Sequence, residues 1–160
     1  MITDEGSRNG VFYRLNGSTR LKDGETFMAG EELLRVEVSE PTNDEIDAAG
    51  THFFGSPRPR QNYRLRQLLE GGLHGLCFYP LGDEVTIGRE KTDLEFPHDR
   101  FISGSHCRVV FDENGAKLTD LDSRNGTYIR IFGEAELKQG DFVFIGRQLM
   151  RVEITRVSAT

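Results

Sequence analysis

Four side chains between residues 88 and 127 have the right chemistry to hold an anion together. Arg89 follows a strand-like run, and Arg124 lies in Ser123-Arg-Asn-Gly126. Each offers a planar fork of N–H donors, which suits phosphate or carboxylate better than a lysine ammonium does. Ser103 adds a hydroxyl, and Asn125 adds an amide able to clamp a peptide main chain. Ser103 and His106 lie three apart, with Asp99, Asp120 and Asp122 close in sequence, so a hydrolytic triad is the enzymatic alternative. No Gly-x-Ser-x-Gly elbow and no oxyanion site accompany them. Binding is expected, not enzyme activity, and neither a cofactor nor a metal is expected.

These residues sit between short apolar runs, so the elements that position them are strands. Glu84-Val-Thr-Ile-Gly88 alternates polar and apolar, which turns Val85 and Ile87 inward. Cys107, Val109 and Phe111 share one strand face, and Asn114-Gly115 predicts a tight hairpin after them. Near the end of the chain Met150, Val152 and Ile154 alternate with Arg151, Glu153 and Thr155, predicting one buried and one wet face. The same alternation occurs at Leu34, Val36 and Val38. The best helical stretch, 64–70, is a single short piece with Gly71-Gly72 behind it. Many short strands with frequent turn signals predict an all-β, two-sheet sandwich.

Composition narrows the partners. A formal net charge of −6 argues against nonspecific nucleic-acid binding, which leans on a basic field. No run approaches membrane-spanning length and no secretory signal opens the chain, so a cytoplasmic setting is expected, with no membrane partner. Cys77 and Cys107 lack metal-ligand spacing and read as buried free thiols in strands.

Gly88-Arg89, Ser103-x-x-His106 and Asn125-Gly126, in this order and spacing, resemble the forkhead-associated (FHA) domain over residues 63–157. The resemblance implies a β-sandwich of about eleven strands that recognises phosphothreonine peptides through loops at one end. It implies that Arg89 and Ser103 contact the phosphate, that Arg124 assists, and that Asn125 binds the ligand main chain. Gly88, Gly104, His106, Gly126 and Thr127 would support the loops. The position after the motif serine is often Arg, Lys or Asn in the family, and here it is Gly104, one side-chain contact fewer. The implied partner is a phosphothreonine protein, the substrate of a Ser/Thr kinase, in signalling or scaffolding. The alternative is a phosphate-independent sandwich module for protein interaction or oligomerisation.

Residues 7–38 repeat residues 123–154. Ser7-Arg-Asn-Gly10 matches Ser123-Arg-Asn-Gly126, and the match runs without a gap to Val38 opposite Ile154, an offset of 116 throughout. An offset of domain size marks an internal duplication, not a solenoid. Residues 1–38 therefore read as the C-terminal half of a first FHA-like module, 39–62 as linker, and 63–157 as a complete FHA-like sandwich. His52-Phe53-Phe54 interrupts the linker and is either a tack onto a module or a short docking motif. Residues 63–111 have two candidate partners, 116–157 and 1–38. The short hairpin favours the first, with 1–38 packed on the flank, or pairing with a second chain in a homodimer.

Overall fold

A computed structural model describes residues 1–39, 50, 55–56 and 62–158. His52-Phe53-Phe54 and nearly all of the linker lie outside the described residues. The first copy supplies β1 (Ile2–Thr3), β2 (Val11–Arg14), β3 (Ser18–Leu21), β4 (Thr26–Ala29) and β5 (Glu32–Val38). The middle supplies β6 (Tyr63–Leu68), a 3-10 turn (Glu70–Gly72), β7 (His74–Phe78), β8 (Glu84–Gly88), β9 (Leu94–Glu95), β10 (Cys107–Asp112) and β11 (Gly115–Asp120). The second copy supplies β12 (Thr127–Arg130), β13 (Glu134–Ala135), β14 (Phe142–Ile145) and β15 (Gln148–Arg151). The chain is nearly all β, as its alternation predicts. One sheet runs β3-β11-β10-β8-β9, a second runs β15-β14-β2-β12-β4-β5-β6-β7, and β1 pairs with β13.

The strand partners differ from those expected. Residues 63–111 are completed by the first copy together with β11, not by 116–157 alone: β5 pairs with β6 from Leu33↔Leu68 to Val38↔Tyr63, and β3 pairs with β11, which itself pairs with β10. Residues 1–38 thus find their partners within the same chain. The two copies exchange strands reciprocally. Tyr128↔Met28 and Ile129↔Phe27 join β12 to β4, and the positions 116 away, Phe12↔Phe144 and Tyr13↔Val143, join β2 to β14. Leu118↔Thr19 is answered by Ile2↔Ala135. Tyr13↔Ile129 maps onto itself, so a local two-fold passes through that pair.

Side-chain fit explains why the first copy wins, since the longer connection costs little extra loop entropy. Arg20 donates to Asp112 at 2.7 Å, whereas the matching second-copy residue is Glu136, a like charge. Phe27 fills a fully buried position where the second copy has Val143. Ala29, also fully buried, would be replaced by Ile145, and overpacking a tight core typically costs about 1–3 kcal/mol.

Phe27, Leu34, Val36, Leu65, Val85, Ile87, Val109 and Leu118 form the main core, so Val85, Ile87 and Val109 face inward as predicted. The expected burial of Met150, Val152 and Ile154 is not observed. Met150 is 43% exposed, Ile154 59% and Val152 half-buried, because the β3-β11-β10-β8-β9 sheet packs over β5 instead. The β10–β11 hairpin forms, but Asp112 pairs with Gly115, so its loop is Glu113-Asn114. Gly115 serves sheet packing: a Cβ there would overlap the Leu21 carbonyl oxygen of β3. Both cysteines are free; Cys107 is buried, as expected, but Cys77 only half so.

The β5–β6 seam carries one ion cluster. Glu37 accepts from Arg64 at 2.7 Å and from Arg35 and Arg66 at 2.9 Å. Burial alone would raise its pKa, but hydrogen bonds from Arg66, Arg64 and Arg35 outweigh it and hold the carboxyl at about 2. With a folded pKa below the ordinary 4.5, its contribution is fully present above 4.5 and is lost as pH falls towards about 2. Glu37→Gln should cost about 1–3 kcal/mol at neutral pH, between the exposed and buried ion-pair ranges. Urea unfolding at a series of pH values should also give a shallower acid slope for the variant.

Candidate functional site

The motif residues lie in loops at one end of the completed lobe, on four strand ends. Arg89 follows β8, and its backbone N–H donates to the Ser103 carbonyl at 2.9 Å. That approach requires glycine at 88, because a Cβ there would overlap the Gly104 carbonyl oxygen. Ser103 Oγ accepts the Arg124 backbone N–H at 3.0 Å, and Asn125 donates its side-chain N–H to the Phe101 carbonyl at 2.8 Å. Hydrogen bonds therefore join the 89, 101–103 and 124–125 segments. Arg89, Arg124 and Asn125 are exposed and Ser103 is half-buried. Among the described residues no carboxylate lies within ion-pair distance of either arginine.

His106 is fully buried and pins two of these loops. Its Nδ1 accepts the Ser103 backbone N–H at 3.1 Å, which puts the ring proton on Nε2, and Nε2 donates to the Gly126 carbonyl at 3.0 Å. Burial pushes its pKa below the ordinary 6.5, against the opposing pull of the Gly126 carbonyl. Neither ring nitrogen faces the Ser103 hydroxyl, so the two are not arranged as nucleophile and base. Gly104 is open: a Cβ there would come no nearer than 3.9 Å to Glu90.

Two carboxylates that sequence reasoning named only as triad candidates turn out to shape the loops. Asp120 Oδ1 accepts from Ser123 Oγ at 2.5 Å and from Thr127 Oγ1 at 2.7 Å, while Ser123 Oγ takes the Gly126 N–H at 3.0 Å. The signal was available in the repeat, since Asp4 takes the Ser7 N–H in the same spacing at 2.8 Å. Asp99 is buried and accepts from Phe101 N–H at 2.8 Å and from Glu31 N–H at 2.7 Å. It ties the 99–103 loop to the β4–β5 turn of the first copy, a partnership no local pattern announces. Gly30 sits in that turn at φ +61°, where a Cβ would collide with Asp99 and Ile102.

In the first copy's loop, Arg8 and Asn9 are exposed, with no counterpart of Arg89 or Ser103 beside them in sequence. A cavity of about 1060 Å³ is lined by Tyr63, Asp83 and the 112–115 turn. It lies at the far end of β10 from His106 and takes no part in this loop cluster. Among the described residues no group of three or more His, Cys, Asp or Glu is placed to hold a metal ion, and no helix is long and apolar enough to cross a membrane.

Residues 85–146 match the family model of the FHA domain. FHA domains are in general phosphothreonine-binding modules. The chain is 36% identical over 72 residues to the E3 ubiquitin-protein ligase CHFR of Danio rerio, covering 40% of this chain and 11% of that protein. It is 38% identical over 69 residues to the Homo sapiens protein of that name, covering 39% and 10%. The shared segment is thus about a tenth of those relatives' length. No solved structure gives a significant match. The expectation of binding without enzyme activity is overturned by these relatives, which share the matched segment and are named as E3 ubiquitin-protein ligases, a class of enzymes.

The His106 geometry predicts a pH effect on stability. With a folded pKa below 6.5, stability should be full above 6.5 and fall as pH drops below it, because protonating Nδ1 opposes the Ser103 N–H. His106→Ala should cost about 1–3 kcal/mol by orphaning that N–H and the Gly126 carbonyl. Thermal melts from pH 8 to 5 should show the acid-side loss in the parent protein and its absence in the variant.

Proposed function

We propose that this FHA-domain chain binds a phosphothreonine peptide of a partner protein through Arg89, Ser103, Arg124 and Asn125. The observation that carries the reading is the bond from Arg124 N–H to Ser103 Oγ, at 3.0 Å. Together with the Arg89–Ser103 backbone bond, it gathers two guanidinium-bearing residues around one hydroxyl. Ser103 Oγ accepts in that bond, so its own proton remains available for a phosphate oxygen. Arg89 and Arg124 supply the charge-assisted donors that a dianion needs. Asn125 uses one amide N–H on Phe101 and keeps its carbonyl for the ligand main chain. The partner in this reading is the substrate of a Ser/Thr kinase, encountered in the cytoplasm, and the role is signalling or scaffolding.

The deciding experiment is an oriented phosphothreonine peptide library with phosphoserine and unmodified controls. Binding that survives dephosphorylation would overturn the reading in favour of phosphate-independent interaction. Arg89→Ala should weaken binding about ten- to a hundredfold, the usual loss of a hydrogen bond to a charged group, with an unchanged melt. Gly104→Lys fits the open space beside Glu90 and adds a cation, so it should tighten binding severalfold, measured by calorimetry. Affinity should fall below about pH 6, where phosphothreonine loses its second charge, and fall with added salt.

A further inference from the structure

We propose that the face of β14 and β15 is a docking surface for an FHA N-terminal half, a β-unit of the kind formed by residues 63–117. The reason is the local two-fold. Several positions buried on the first copy have exposed matches on the second, although Val143 and Val152, matching Phe27 and Val36, stay buried or half-buried in a small cluster of their own. Leu34 is 1% exposed in the main core, and its match Met150 is 43% exposed. Leu149 and Ile154, matching Leu33 and Val38, are 54% and 59% exposed. Gly30 is crowded by Asp99 and Ile102, whereas its match Gly146, with the same left-handed backbone, has open space around it. The two copies are folded alike inside: Gly24 N–H donates to Val36 O at 2.8 Å, and Gly140 N–H to Val152 O at 2.9 Å. The difference therefore lies in what covers them.

The chemistry of the occupant follows from the occupied copy. Glu37 holds Arg64 and Arg66 of β6, and its match Glu153 is exposed with Arg151 two residues before it. A covering strand should thus alternate apolar and arginine, as Tyr63-Arg-Leu-Arg-Gln-Leu68 does. Opposite Glu136, where Arg20 meets Asp112, the occupant should carry a basic residue. A second copy of this chain is disfavoured, because its 63–117 unit is already closed by β3 and β5. The open row of β15 backbone groups and the apolar face are the kind of edge that β-proteins normally cover.

The entry route is also defined. Ile2 matches Leu118 in register, so a unit leading into β1 would make the connection that β10 makes to β11. The test adds a second 62–117 segment, carrying Asp112→Lys, immediately ahead of Ile2 of the full chain. Hydrogen exchange of residues 148–154 is then compared with the parent chain. The expected result is a slowing of at least ~100-fold with the chain still monomeric, and loss of that slowing in Met150→Glu. In the parent chain, Met150→Glu should leave the melting midpoint unchanged, whereas Leu34→Glu should lower it sharply. Unchanged exchange in the extended protein overturns the proposal. So does a parent chain that sediments as a dimer whose 148–154 amides are already slow. Phosphopeptide binding is not a readout in any arm, so its presence or absence is judged separately.

Discussion

The seam between β5 and β6 is the constraint on which the rest of this structure depends. A six-pair ladder from Leu33↔Leu68 to Val38↔Tyr63 joins a strand of the first copy to the middle segment, whose β8 and β10 flank the candidate-site loops. Beneath it Leu34, Val36 and Leu65 are buried, and above it one carboxylate, Glu37, accepts hydrogen bonds from three guanidinium groups. The ladder and the apolar face give the seam its strength. The Glu37 cluster adds alignment, because a shift of one residue would turn the carboxylate away from both Arg64 and Arg66.

The candidate site inherits its order from that seam. Asp99 reaches the Glu31 N–H in the β4–β5 turn, so the loop bearing Phe101 and Ser103 is fastened to the first copy as well as to its own sheet. His106 fastens the same loop to Gly126, and Asp120 organises the turn that presents Arg124 and Asn125. Side chains able to meet a ligand therefore stand on a framework of buried polar groups that meet none. Held this way, the exposed arginines need little reorganisation to grip an anion, which is the physical advantage of a loop site on a rigid sheet.

Duplication explains both the closed lobe and the open one. Each copy lends its β4- or β14-type strand to the other across Tyr13↔Ile129, so neither is a self-contained half. Only one middle segment is present in the chain, and the first copy takes it. Arg20 attracts Asp112 where Glu136 would repel it, and Phe27 and Ala29 divide a buried volume that Val143 and Ile145 would divide less well.

Much of this was legible from residues alone. Period-two alternation located β8 and β10 and turned Val85, Ile87, Cys107 and Val109 inward, because burial on one face of a strand leaves that mark in any sequence. Arg89, Ser103, Arg124 and Asn125 stood out because anion-holding side chains beside glycines at strand ends form a local pattern. The repeat was visible as an ungapped match at constant offset. Which copy closes the sheet was not legible, since Leu34-Arg-Val-Glu-Val38 and Met150-Arg-Val-Glu-Ile154 carry the same alternation and the same glutamate. Nor were the roles of Asp99 and Gly115, which answer to Glu31 and Leu21, partners distant in sequence. Periodicity reports that a face is to be buried; what buries it is decided by volume and charge across the sheet, and those terms exist only once the strands have met.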